Sequence, residues 1–174
     1  GAMQFYGTSI DCFVAGNKGA RMQGFHAWAL WYHGYQPSWY CQLTDNELLE
    51  GNYYHWTSAT ESIIGLTGAK HGDYKGPMNL GGVVRRNRLD GNSHIRLNGA
   101  VRDAVIELNR VENSDVGVQV NKSCERVLVR ENQFANVLHE NMDESYQAAL
   151  LAERAKALSG QPDPVAVWSF ENLQ

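Results

Sequence analysis

Aromatic and ionisable side chains that could contact a ligand are concentrated in two stretches of this 174-residue chain. They read GFHAWALWYHGYQPSWY over residues 24–40 and GNYYHWTSATESIIGLTGAKHGDYKGPM over residues 51–78. Tryptophan and tyrosine rings pack on the C–H faces of sugars, while charged and amide groups hydrogen-bond to hydroxyls. We therefore predict a carbohydrate-binding surface from these stretches and two later strands. Its substrate-binding residues are Trp31, His33, Tyr54, His55, Trp56, Tyr74, His94 and Gln119.

Two catalytic chemistries fit the ionisable residues near these aromatics. A polysaccharide lyase needs a base that removes the proton beside a uronate carboxyl, and a cation that neutralises that carboxylate. Lys75, Lys70 or His71 would be the base, and Arg96 would be the cation. A glycoside hydrolase instead needs two carboxyl groups about 5 to 10 Å apart. The candidates for that pair are Asp73, Glu61 and Glu50.

Neither set of ionisable residues forms a family motif, so the sequence leaves open whether the chain is an enzyme. The catalytic candidates are Lys75, His71, Arg96 and Asp73. Each of them is more readily explained as a solvated loop residue, because most charged loop side chains have no further role. No two of the six histidines are four residues apart, the spacing of a helical zinc site, and no metal site is predicted.

A repeat over residues 83–136 indicates which elements must position these side chains. Asn87, Asn109 and Asn132 are 22 and 23 residues apart, and each has an apolar residue three positions before it and two positions after it. Apolar and polar residues alternate before each asparagine, which is typical of a half-buried strand and not of a helix. The sequence therefore predicts a β-solenoid, in which each repeat is one turn with an asparagine at a corner.

The same frame extends back to Asn46 and Asn17, which gives five corners separated by 29, 41, 22 and 23 residues. Stacked turns would lie about 4.8 Å apart, so we expect the asparagine amides to hydrogen-bond along the stack. The pattern resembles the right-handed parallel β-helix of pectin-lyase-like proteins, with its inward asparagine ladder, over roughly Asp11 to Asn141. The resemblance implies an all-β fold of about five rungs.

The same resemblance implies a carbohydrate groove along one sheet, walled by the long loops of the first two turns. It also implies a larger secreted protein that acts on a polysaccharide as a lyase or a glycoside hydrolase. Ca²⁺ would be a cofactor by family resemblance only. The chain has neither the Asp-Asp pair typical of polygalacturonases nor the acidic calcium-binding cluster typical of pectate lyases.

The sheet that carries the groove can be placed by strand register. Pairing Ile95 with Val118, and Leu97 with Val120, directs all four side chains inward. Ile64 and Leu66 fit the same register on the second turn. The outward neighbours would then be His94, Arg96 and Gln119, with Gly65 forming a low spot beside them. The first turn is expected to add Ala29 and Trp31 to this surface.

The cysteines are predicted to be core residues. Cys12 and Cys41 both stand five positions before their asparagine, where later turns have Gly82, Ala104 and Val127. All of these are small or apolar, so the two thiols should stack inward as small hydrophobes. We expect no disulfide framework.

The domain organisation is predicted from changes in sequence character. Residues 1–3 look like the remainder of a cleaved tag, and residues 4–141 form the β-helix. Residues 142–160 form a capping helix, because Asn141 and Glu144 make a capping-box-like start before apolar residues at helical spacing. Residues 161–174 form a linker or the first strand of a following element.

Charge limits the partners that the sequence allows. The net charge is -4 and no basic stripe is present, which argues against nucleic acid or an anionic membrane as a partner. A poly- or oligosaccharide is the expected partner, with neighbouring domains in a longer chain. The alternative function is a noncatalytic structural or interaction solenoid, such as a spacer or part of an adhesin or tail-spike-like assembly.

Overall fold

The computed structural model describes residues 2–29, 35–51, 62–69, 76 and 78–143. The chain divides into two units, Gly1–Glu144 and Ser145–Gln174, and all described residues belong to the first. Throughout these ranges the regular structure is β-strand, and every strand pair is parallel. No described segment is a helix long and apolar enough to cross a membrane.

The strands form three sheets. The first contains β2 (Ser9–Ile10), β6 (Ser38–Trp39), β10 (Asn79–Leu80) and β14 (Val101–Arg102). The second contains β3 (Phe13–Ala15), β7 (Gln42–Thr44), β11 (Val83–Arg85), β15 (Val105–Glu107) and β17 (Leu128–Arg130). The third contains β1 (Ala2–Tyr6), β4 (Lys18–Ala20), β5 (Gly24–Ala29), β8 (Glu47–Leu49), β9 (Ser62–Gly68), β12 (Arg88–Asp90), β13 (Ser93–Gly99), β16 (Arg110–Val120) and β18 (Gln133–Met142).

The chain coils through these sheets in a fixed order. It runs from β2 to β3, β4 and β5, and then repeats the same course from β6 onward. The long strand β16 joins the two parts of the third sheet, because residues 110–112 pair with β12 and residues 118–120 pair with β13. The prediction of an all-β chain of stacked parallel strands is confirmed, and the arrangement is compatible with a β-solenoid.

The five asparagines stack as predicted. The side-chain amide of Asn17 donates from Nδ2 to Oδ1 of Asn46 over 3.1 Å, and Asn46 donates in the same way to Asn87 over 3.0 Å. Asn87 donates to Asn109, and Asn109 to Asn132, over 2.9 Å each. The three middle asparagines are buried. The hydrogen bonds expected from the sequence are therefore confirmed.

Each middle amide is fully satisfied. Nδ2 of Asn87 donates both to Asn109 and to the backbone oxygen of Leu43, at 2.9 and 2.8 Å. Its Oδ1 accepts from both Nδ2 and the backbone N–H of Asn46, at 3.0 and 2.9 Å. A side-chain amide has two donor hydrogens and two acceptor lone pairs, so no capacity is left over.

Three residues per turn are at backbone corners with a left-handed conformation. They are located six residues before, one residue before and four residues after each asparagine. All fifteen residues have φ between 50° and 71°. The first column is Asp11, Tyr40, Gly81, Asp103 and Arg126; the second is Gly16, Asp45, Arg86, Leu108 and Glu131; the third is Arg21, Glu50, Gly91, Asn113 and Asn136. Twelve of the fifteen are not glycine, although this conformation costs a residue with a side chain roughly 1–2 kcal/mol.

Hydrogen bonds between turns offset that cost. The corner N–H of Tyr40 donates to the carbonyl of Leu80 at 2.7 Å, and that of Asp45 donates to the carbonyl of Arg85 at 3.1 Å. A buried or partly buried N–H left unpaired would cost about 1–3 kcal/mol, so the stack favours this corner geometry whatever the side chain.

Inward side chains fill the space between the sheets. The buried core contains Phe25, Leu43, Leu48, Ile64, Leu66, Val84, Leu89, Ile95, Leu97, Ile106, Val111 and Val118. Cys41 belongs to this core and is buried, and Cys12 is partly exposed and packs against it. Burial raises the pKa of the Cys41 thiol. Both positions agree with the prediction that the thiols pack in the core.

The capping helix does not start at residue 142 as predicted, because Met142 is in a strand. This residue is the last of β18, so the strand continues past the predicted boundary at residue 141. Asp143 is also described and is not helical. The rest of the predicted helix, and residues 161–174, lie outside the described residues.

Replacing Asn87 tests the amide ladder. We expect Asn87→Ala to lower the free energy of unfolding by about 2–4 kcal/mol, because it leaves the buried Asn46 N–H and Leu43 carbonyl without partners. Asn17→Ala is the matched control, since Asn17 is at the first turn and only partly buried; we expect about 1 kcal/mol there. Urea unfolding followed by circular dichroism measures both. Equal losses in the two variants would contradict the ladder as the source of stability.

Candidate functional site

The predicted register of the third sheet is confirmed. Ile95 pairs with Ile64 on one side and with Val118 on the other, and all three side chains are in the core. Residues that alternate with them point outward. We call the outward residues of β1, β5, β9, β13 and the end of β16 the site face. Its members include Tyr6, His26, Trp28, Gly65, His94, Arg96 and Gln119.

One row crosses the site face at a single height. His26 on β5 pairs with Gly65 on β9, Gly65 pairs with Arg96 on β13, and Arg96 pairs with Gln119 on β16. Neighbouring strands are about 4.8 Å apart, so the row brings a histidine and a guanidinium within two strand spacings.

Gly65 allows β9 and β13 to approach closely in the middle of this row, and it is itself buried. A Cβ atom added to Gly65 would lie 2.8 Å from the backbone oxygen of Arg96, closer than a real side chain allows. The oxygen belongs to a paired strand, so it cannot move aside without disturbing β13. The close approach of the two strands at this position therefore depends on glycine.

The prediction that Ala29 of the first turn points outward onto this surface is wrong. Ala29 pairs with Gly68 and is on the same side of β5 as Phe25 and Ala27, so it is buried inside. The outward residues of β5 are His26 and Trp28 instead. Trp31 lies outside the described residues.

An aromatic cluster occupies the edge of the site face. The rings of Tyr6 and Trp28 are 5.8 Å apart and tilted, and the rings of His26 and Trp28 are 5.6 Å apart in an edge-to-face arrangement. Tyr6 is largely exposed, Trp28 is half-buried and His26 is buried. Exposure therefore decreases across the cluster from the phenol ring of Tyr6 to the imidazole of His26.

Two polar atoms in this cluster are buried and have no hydrogen-bond partner within the described ranges. They are Nδ1 of His26 and Nε1 of Trp28. His26 is only 4% exposed, and this burial lowers its pKa to about 4, with a further lowering by Arg96 against an opposing hydrogen bond to the Gln23 backbone. At neutral pH His26 is therefore an uncharged ring with one donor and one acceptor nitrogen.

His94 and Gln119 point outward as predicted but are buried, with exposures of 6% and 2%. Arg96 is half-buried. These are the three predicted site residues that the structure describes, and their part in ligand binding stays a prediction. Glu50, a candidate for the carboxyl pair, is at a corner, where it accepts a hydrogen bond from Arg21 at 2.5 Å.

The other predicted site residues lie outside the described residues. For catalysis these are Lys75, His71 and Asp73, together with Lys70 and Glu61. For substrate binding they are Trp31, His33, Tyr54, His55, Trp56 and Tyr74. Their roles stay predictions. Within residues 2–29, 35–51, 62–69, 76 and 78–143, no group of three or more His, Cys, Asp or Glu side chains is placed to hold a metal ion.

No protein-family model, curated protein or solved structure matches this chain. The sequence did not lead us to predict Tyr6, His26 and Trp28 as members of the site face. The strand alternation contained the information for two of them. If Phe25 and Ala27 point inward, then His26 and Trp28 must point outward.

The neutral state of His26 predicts a pH-dependent stability. The unfolded chain binds a proton on this residue near pH 6.5, while the folded chain does so only near pH 4. Stability should therefore decrease as the pH falls from 6.5 to 4, by about 3 kcal/mol in total from this residue. Replacement by an uncharged side chain, His26→Gln, should flatten this part of the curve. Thermal unfolding at a series of pH values measures the effect, and equal slopes for the two proteins would contradict it.

Proposed function

We propose that this chain is a right-handed parallel β-helix of the pectin-lyase-like type that recognises carbohydrate. Stacked parallel turns, a repeat of 22 to 23 residues and a filled asparagine ladder support the fold. In this proposal the chain belongs to a larger secreted polysaccharide-active protein, and residues 142–160 contain a helix. Carbohydrate recognition is argued from the site face.

The observation that carries the proposal is the pair of unpartnered polar atoms on His26 and Trp28. Leaving such atoms buried without partners costs about 1–3 kcal/mol each. A ligand hydroxyl can both donate and accept, so it could satisfy the indole N–H and an imidazole nitrogen once the half-buried Trp28 ring moves enough to admit it. The exposed ring of Tyr6, 5.8 Å from Trp28, offers an apolar face beside them. A sugar, with C–H faces and hydroxyl edges, has both complements.

Arg96 gives this surface a preference for acidic sugars. Its guanidinium is in the same row as His26 and is half-buried, where an ion pair with a carboxylate is stronger than in bulk water. The neutral His26 does not add a second charge. We therefore infer that uronic acid units are the preferred ligands of the site face.

Catalysis by the same surface is part of the proposal at the level of reaction class. In a lyase reaction Arg96 would neutralise the uronate carboxylate, which makes the adjacent proton more acidic. Lys75 or His71 would remove that proton. In a hydrolase reaction Asp73 would be one of the two carboxyl groups.

A second candidate function is a noncatalytic interaction or structural solenoid. The observation that favours it is the exposure of large apolar residues on the first turn, where Phe13 is 61% and Ile10 51% exposed. Such side chains are on the outer surfaces of the second and first sheets, apart from the site face. They fit a protein partner better than a sugar.

A ligand panel tests carbohydrate recognition and turnover together. The panel contains neutral oligosaccharides and oligouronates, with intrinsic tryptophan fluorescence as the binding signal because Trp28 is at the site. Ultraviolet absorbance of the unsaturated product detects a lyase in the same samples. Binding with rising absorbance supports a lyase, and binding alone supports recognition. No response to any sugar would favour the interaction solenoid.

Substitution of Arg96 tests where uronates bind. We expect Arg96→Gln to weaken oligouronate binding about tenfold, since it removes the charge that pairs with the carboxylate. The matched control is Arg88→Gln, which removes an exposed arginine from β12, outside the site face. Titration calorimetry measures both affinities. Equal losses in the two variants would indicate nonspecific charge attraction and would contradict a site around Arg96.

A further inference from the structure

A shallow, open groove is located at the third corner column, on the last three turns. It is a groove of about 500 Å³ that shares no lining residue with the site face. The lining residues are Asn92, Asn113, Ser114, Asp115, Asn136, Val137 and Leu138. We call this surface the asparagine groove. It is distinct from the buried asparagine ladder.

A second amide ladder forms one wall of this groove. Nδ2 of Asn136 donates to Oδ1 of Asn113 over 3.0 Å, and Nδ2 of Asn113 donates to Oδ1 of Asp90 over 2.9 Å. Both bonds are exposed, unlike those of the buried ladder. The bonds of the Asn113 side chain use one of its two donor hydrogens and one of its two acceptor lone pairs. Each amide can therefore serve a ligand while it is held in place by its neighbour.

Corner geometry alone does not account for these asparagines. Asn113 and Asn136 have φ of 50° and 54°, and asparagine tolerates this conformation better than most residues. However, the equivalent corners in the other columns contain Tyr40, Arg86 and Leu108 with the same geometry. The stack therefore accepts many side chains at a corner. Asparagines occur together where the surface is concave.

The charge of the groove selects the class of ligand. Its lining includes one carboxylate, Asp115, and no lysine, arginine or histidine. Asp90 accepts from Asn113 at the end of the amide ladder, and its charge is partly balanced by Arg88, whose Nη2 is 3.9 Å from its Oδ2. The lining residues therefore offer no cation that could pair with an anionic ligand. Amides that both donate and accept match hydroxyl groups, which do the same.

Apolar surface completes the recognition chemistry. Leu138 is 65% exposed at the edge of the groove, next to Val137, which is half-buried. Successive turns are about 4.8 Å apart, so the polar groups recur along the axis of the stack. We propose that the asparagine groove binds a neutral oligosaccharide, whose hydroxyls bond to Asn113 and Asn136 and whose C–H surface packs on Leu138. This proposal stands independently of the site face.

Methyl NMR on the whole chain tests this inference. The probes are cellohexaose, maltohexaose and mannohexaose, with trigalacturonic acid as the acidic comparison. We expect at least one neutral hexasaccharide to shift the methyl resonances of Leu138 and Val137, and the acid to leave them in place. If no neutral probe shifts these resonances, or if the acid alone does so, the proposal is overturned.

Glycine substitutions test the amides without changing the corner. Asn113→Gly and Asn136→Gly remove the side chain at positions where glycine adopts the same φ readily. We expect each to weaken binding of the neutral probe about tenfold. Arg21→Gly is the matched control, because Arg21 is in the same corner column outside the groove, and it should bind as the parent does. Parental affinity in both asparagine variants would overturn the proposal.

Arg96→Gln separates this site from the site face. It should leave the affinity for the neutral probe unchanged, even where it weakens oligouronate binding. Loss of neutral binding in Arg96→Gln, with Asn113→Gly unaffected, would place the neutral sugar on the site face and overturn the assignment to the groove. If the glycine variants do not fold, the Leu138 and Val137 shifts of the parent protein decide.

Discussion

A fully satisfied side-chain amide at one buried corner fixes the rest of this structure. Each middle asparagine donates to the next turn and to a backbone carbonyl of the preceding turn, and it accepts from the preceding asparagine twice. Only two uncharged side chains can donate twice and accept twice, asparagine and glutamine, and asparagine is the shorter of them. The bonds hold three consecutive turns in one register. Strands on both sides of the corner, such as β11 and β12, inherit that register.

The register explains why the site face exists at all. His26, Gly65, Arg96 and Gln119 are separated by many residues in the chain, yet each occupies the same height on its own strand. A slip of one residue in any turn would direct the core side chains outward and break the row. The alignment of this row therefore depends on hydrogen bonds in the interior. The same holds for the asparagine groove, where residues from separate turns meet at one corner.

Regular segments could be predicted from the sequence, and irregular ones could not. Ile95 and Leu97 alternate with His94 and Arg96, so polarity alone gave their direction. Around Ala29 the strand reads GFHAWA, in which small and aromatic residues on both faces give no contrast, and the predicted phase was wrong. The left-handed corners at Tyr40 and Leu108 were not foreseen either, because those residue types do not favour that conformation. Hydrogen bonds between turns, which are absent from the local sequence, impose it.

The buried asparagine column has a direction as well as a spacing. All four bonds between successive asparagines run in the same direction, with Nδ2 of the earlier residue donating to Oδ1 of the later one, from Asn17 to Asn132. The amide dipoles are therefore aligned and add along the axis, as peptide dipoles do in a helix. The first turn presents the negative end and the last turn the positive end. Turns that are alike in shape thus differ electrically along the stack, with Lys18 next to Asn17 and Glu131 next to Asn132 carrying the complementary signs.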